Sequence, residues 1–124
     1  MDDPLSVGIV VKDPLISQDI AGIFGFWQAG SICRIYETVA EARAVPATSF
    51  DPELVFVAAQ GGVLELSPAD FDWLEARNVI TLDLRETGQF SHWQHLSRPF
   101  AEAQVIQAAY ELLRLNAGDR AQTG

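Results

Sequence analysis

The chain alternates short, wholly apolar runs with longer stretches in which apolar residues return every three or four positions. Val7–Val11 and Leu54–Ala59 carry no charge and no polar alternation. Runs this short, bounded by Asp-Pro or paired Gly, read as strands buried on both faces, as in the interior of a parallel sheet. Ile32–Tyr36, Val79–Leu84 and His95–Ser97 are the remaining strand candidates. Between the first two strands, Ile16, Ile20, Ile23, Phe24 and Trp27 fall on one side of a helix.

Helix boundaries are written in the capping chemistry. Asp13-Pro14 supplies an N-cap and a proline at the first helical position, and Gly30 marks the end. Thr38 with Glu41 has the capping-box spacing and opens a short helix to about Val45. Pro46–Pro52 is a loop. Ser67-Pro68, with Asp70 behind, opens a helix to about Arg77 that buries Phe71 and Leu74. The last helix is expected over Phe100–Leu115, with Val105, Ile106, Ala109, Leu112 and Leu113 inward.

Strand and helix in alternation imply right-handed βαβ units and a parallel sheet with helices on both faces. Five strands in a chain of this length suit the flavodoxin-like order 2-1-3-4-5. One domain is expected over residues 1–116, with a small, polar, flexible tail over 117–124.

Composition narrows the function. The 124 residues carry a formal net charge of −9. No basic footprint exists for nucleic acid or an anionic membrane, so a protein is the expected partner. Cys33 is the only cysteine, which excludes an intrachain disulfide and reads as an inert, buried thiol. No apolar stretch is long enough to span a bilayer, and Met-Asp-Asp-Pro lacks the start of a secretion signal. The expected compartment is the cytoplasm.

Four segments, in order, resemble a response-regulator receiver domain of two-component signalling. Ile9-Val-Val-Lys-Asp-Pro-Leu-Ile16 is similar to the family's first strand and its acidic loop. Asp51-Pro-Glu-Leu-Val-Phe-Val-Ala58 is similar to the strand ending in the phosphoacceptor aspartate. Val79-Ile-Thr-Leu-Asp83 matches the strand ending in the switch hydroxyl, and Leu96-Ser-Arg-Pro-Phe100 the Leu-Thr-Lys-Pro-Phe element. The resemblance implies a CheY-like fold over roughly Val7 to Leu115.

Every functional position then departs from that pattern. The Mg²⁺-binding acidic pair falls on Val11 and Lys12, the phosphoacceptor on Ala58, the switch hydroxyl on Asp83 and the lysine on Arg98. A hard cation needs carboxylate oxygens, so Mg²⁺ is not expected. A one-residue slip brings Asp13 towards the acidic pocket but leaves Ala58 without an acceptor oxygen. Only ten residues, Arg85 to Gln94, separate Leu84 from His95, so the family's fourth helix is expected to be short or missing. The implied protein is a degenerate receiver: a phosphorylation-independent, non-enzymatic interaction module that needs no cofactor and binds a protein or a second copy of itself.

Several residues carry sharper alternatives. Lys12, Asp83 and Arg98 form a candidate cluster holding the sheet in one fixed state; the plainer reading is a solvated ion pair. The same bases, with Arg85 and the amides of Gly61-Gly62, are the candidate site of a small anion or nucleotide; a Gly pair after a strand also serves as a tight turn. His92 and His95 have a metal-like spacing but no third ligand, so no metal is expected. Ser17, Ser67 and Ser91 suit helix surfaces and caps, with no triad order around them. Trp73, Phe90 and Trp93 either cover the gap left by the short segment or form an exposed interface.

Overall fold

The computed structural model describes residues 4–123, and side chains up to residue 114. The elements are β1 (Ser6–Val10), α1 (Pro14–Trp27), β2 (Ile32–Tyr36), α2 (Val39–Ala44), β3 (Leu54–Ala58), α3 (Pro68–Glu75), β4 (Asn78–Leu82), a single 3₁₀ turn (Gly88–Phe90), β5 (Gln94–Leu96) and α4 (Glu102–Thr123). All four strand pairings are parallel, in the order β2-β1-β3-β4-β5. This is the flavodoxin-like arrangement expected from the pattern of apolar runs. The first, fourth and fifth strands begin one residue earlier than their apolar runs. The helix between β4 and β5 is absent and the 3₁₀ turn stands in its place.

Alternation along the strands divides the core into two layers. Val7, Ile9, Leu54, Phe56, Ile80 and Leu82 pack with α1 and α4. Val10, Val55, Val57 and Val79 pack with α2, α3 and the turn. Phe24, fully buried in α1, meets Phe56 edge-on at 5.6 Å. In α4 the buried positions are Val105, Ala108, Ala109 and Leu112, with Leu113 partly buried against the same core as expected and Ala108 taking the core place expected of Ile106.

The caps behave as their residues dictate. Asp13 accepts a hydrogen bond from the Leu15 amide at 3.0 Å, with Pro14 following it. Thr38–Glu41 and Ser67–Asp70 both form reciprocal capping boxes. The C-cap of α1 is Gln28, and Gly30 supplies a positive φ two residues later. The last helix runs on through Ala117–Thr123, the stretch expected to be a tail; the side chains of that stretch lie outside the described residues. Among the described residues no helix is long and apolar enough to cross a membrane.

Candidate site at the carboxyl ends of the strands

The carboxyl ends of β1, β3 and β4 and the segment after β5 converge on a cavity of about 250 Å³. Val11, Lys12, Asp13, Ala58, Asp83 and Arg98 all line it, so the six positions singled out in the sequence meet in space. Two carboxylates face two cations there.

Asp83 is the structural centre of the group. It is the first residue after β4, and its φ is +62°, in the left-handed region that Asp tolerates better than most side chains. Its amide donates to the Leu96 carbonyl at 2.8 Å. Its Oδ1 accepts from the Arg98 amide at 2.8 Å, and its Oδ2 accepts from Arg98 Nε at 2.6 Å. The carboxylate therefore ties the end of β4 to the chain leaving β5.

The expected three-member cluster is a pair. Lys12 is exposed and makes no hydrogen bond or ion pair among the described residues. The reason is that Asp83 turns both oxygens towards Arg98. Asp13 spends a carboxylate oxygen on its helix cap. Val11 is buried and apolar. Ala58 brings only a methyl group to the cavity.

Gly61 and Gly62 form a tight turn. Both have positive φ, +62° and +82°, and the Gln60 and Val63 backbones close a two-residue hairpin with bonds of 2.9 and 3.1 Å. The Arg85 amide donates to the Gly62 carbonyl at 3.0 Å. The Arg85 side chain lies over the same glycine, where a Cβ would come within 2.5 Å of Arg85 Cγ. Arg85 is thus spread across the turn.

Around the missing helix, aromatics fill the space. Phe90 and Trp93 are 8% and 5% exposed, stacked with their centroids 4.8 Å apart, and Phe71 packs against both. Their burial makes them cover for the core and removes them from the candidate interface. Trp73 is half-buried, with the Arg77 guanidinium 3.9 Å above its ring. Arg77 also reaches Asp51 and the Trp73 carbonyl.

The two histidines take unrelated partners. His92 Nε2 meets Glu75 at 2.5 Å. His95 Nε2 donates to the Phe90 carbonyl at 2.8 Å, since a carbonyl can only accept; Nδ1 then accepts from the Thr81 hydroxyl at 2.7 Å. Thr81 is fully buried in β4. This Thr81–His95–Phe90 chain links β4, β5 and the 3₁₀ turn, and sequence reasoning missed it. Its one signal was a hydroxyl in the middle of a buried strand, which must find a partner. No group of three metal-ligating side chains occurs among the described residues.

One more ionic contact ties α2 to α3. Arg43 Nε donates to Asp70 at 2.8 Å. Partial burial pushes the Asp70 carboxyl up, but the Arg43 hydrogen bond, the Ser67 hydrogen bonds and the Arg43 charge together hold it below the ordinary 3.8. Burial pushes the half-buried Cys33 thiol up, consistent with an unreactive side chain.

The sequence matches no protein-family model and no curated protein. Solved structures do resemble the fold. NtrX from Brucella abortus in complex with ATP superposes with a TM-score of 0.72 at 17% identity, covering 98% of this chain. This chain spans only 29% of that NtrX chain. A CheY-like response regulator from Mesorhizobium loti gives 0.70 at 18% identity, over 89% of this chain and 99% of that one. The signal receiver domain of a putative LuxO repressor protein from Vibrio parahaemolyticus gives 0.72 at 13%, over 98% and 99%. The five-stranded architecture described above is that of response-regulator receiver domains, and at these identities the likeness is one of fold.

Proposed function

We propose that this chain is a receiver-like protein-interaction module of bacterial two-component-type signalling, acting in the cytoplasm without phosphorylation or catalysis. One observation carries the reading: β3 ends at Ala58, inside the cavity where the fold's strand ends converge. Phosphoryl transfer needs an acceptor oxygen, and a methyl group has none. Val11 and Lys12 supply no carboxylate for Mg²⁺ beside it. The Asp83–Arg98 pair supports the same reading, because an internal carboxylate already occupies the guanidinium that would meet an incoming anion. What remains for the domain is its surface, offered to a protein partner or to a second copy.

Incubation with a small phosphodonor and Mg²⁺, followed by intact-mass measurement, tests this reading. No added phosphoryl group is the expected result, and a stoichiometric adduct would overturn it. Lys12, exposed on the cavity rim without a partner among the described residues, favours one second reading, a small-anion sensor. A thermal-shift screen with phosphate, nucleotides and carboxylates separates the two. A flat screen is expected of the interaction module, and one strong, specific shift supports the sensor.

A further inference from the structure

A second cavity, of about 380 Å³, opens at the carboxyl ends of β1 and β3, beside the one that holds Asp83 and Arg98. In the order β2-β1-β3 the chain leaves β1 towards one side and returns on the other. Ligands of open parallel sheets settle in the crevice outside such a switch point. Val10 and Val57, opposite each other in register and both buried in the sheet, form the floor. Leu64 and Leu66, partly buried against the same core layer, continue the apolar lining before α3. Val63 also lines the cavity and is still 56% exposed.

The rim carries charge of both signs. Lys12 comes from the loop after β1, Glu37 from the turn before α2 and Glu65 from the segment before α3. All three are exposed, and their side chains make no hydrogen bond or ion pair among the described residues. The fourth charged residue of the lining, Asp70, is already bound to Arg43. An ammonium and two carboxylates thus surround an apolar floor without neutralising one another.

We propose that this cavity binds a free apolar amino acid. Its side chain lies on the floor of Val10 and Val57, its carboxylate meets Lys12, and its ammonium meets Glu37 and Glu65. The volume falls within the ~300–1,000 Å³ range of small-molecule sites. Charge selects the ligand. A phosphate brings about two negative charges to a rim with two carboxylates against one lysine. A simple amine is repelled by Lys12, and a simple carboxylate by both glutamates. Only a ligand with both charges answers the whole rim, and only an apolar body answers the floor. Lys12 lines the cavity beside Asp83 as well, so one lysine serves either this site or a small-anion site, and the probes must separate them.

An amide-resolved NMR titration of the full chain with free leucine tests the site. A ligand of this size supports a dissociation constant on the order of 0.1–1 mM, with shifts centred on Val10, Val57 and Leu64. Leucine amide lacks the carboxylate and N-acetyl-leucine lacks the ammonium, so each should bind at least about tenfold more weakly. Lys12→Gln should weaken leucine at least about fivefold and leave leucine amide unchanged, whereas Glu65→Gln should spare N-acetyl-leucine. Both residues are exposed, so unfolding midpoints should stay where they are. Silence towards leucine up to about 10 mM, or equal affinity for the three probes, would overturn the proposal. A chain that answers inorganic phosphate and not leucine overturns it in favour of the small-anion site. The two readings fail separately: a phosphoryl adduct defeats the proposed function, and silence towards leucine defeats this site alone.

Discussion

Asp83 holds Arg98 at two points, accepting from its backbone amide at 2.8 Å and from its Nε at 2.6 Å, while its own backbone sits at φ +62°. An exposed ion pair alone contributes little, ~0–1 kcal/mol. The backbone amide and the left-handed conformation add to that. In Asp83→Ala all three effects act together, whereas Asp83→Gly loses the bonds but relieves the backbone. Urea unfolding should therefore find the Gly variant more stable than the Ala variant by about 1 kcal/mol. Equal midpoints would show that the backbone conformation carries no cost.

Thr81 and His95 give a sharper contrast. Thr81→Val leaves His95 Nδ1 without its donor in a largely buried setting, which costs about 1–3 kcal/mol. His95→Phe strands the Thr81 hydroxyl and the Phe90 carbonyl in the same way. The double variant should lose less than the two singles together, because it removes both partners at the Thr81 contact. A double-mutant cycle by chemical denaturation checks this, and strict additivity would mean that the two side chains do not interact. Amide exchange over residues 88–93 should quicken in each single variant.

Trp93 stands where a helix would otherwise close the sheet. Trp93→Ala opens a cavity beneath the Phe90 ring and should cost about 3–5 kcal/mol. Trp73→Ala removes a half-buried ring stacked on Arg77 and should cost far less, on the order of 1 kcal/mol. Thermal or urea unfolding ranks the two. A reversed order would mean that the surface pair, not the buried stack, secures this side of the sheet.

Asp70 links stability to acid. Its folded pKa lies below the ordinary 3.8, so its contribution is complete above that value and is lost as pH falls through the folded value. Asp70→Asn should then be less stable than the parent by on the order of 1 kcal/mol at about pH 6, with the gap closing at about pH 3 and below. Urea midpoints at the two pH values measure it. A gap that widened towards acid would contradict the assigned direction.

Much of this architecture is legible in one dimension because its signals are local. Asp13-Pro14, Thr38 with Glu41 and Ser67 with Asp70 each satisfy backbone groups within three or four residues of themselves. The apolar runs specify burial on both faces, and burial on both faces specifies the strands. The shortage of residues between Leu84 and His95 likewise announces the missing helix by count alone. The meeting of Val11, Lys12, Asp13, Ala58, Asp83 and Arg98 follows from parallel topology, which brings strand ends to one side.

What tertiary structure alone decided is the partnering of polar groups distant in sequence. Asp83 turned to Arg98 and left Lys12 in solvent because the left-handed residue after β4 aims its carboxylate at the chain beyond β5. His95 found Thr81 across adjacent strands, a pairing fixed by register. Phe90 and Trp93 turned inward because an uncovered core lay beneath them, while Phe26 turned outward because Phe24 already filled the inner face of its helix. Capping and periodicity act over a few residues and are written in order along the chain. Hydrogen bonds and packing between side chains depend on directions in space, and those exist only once the sheet is built.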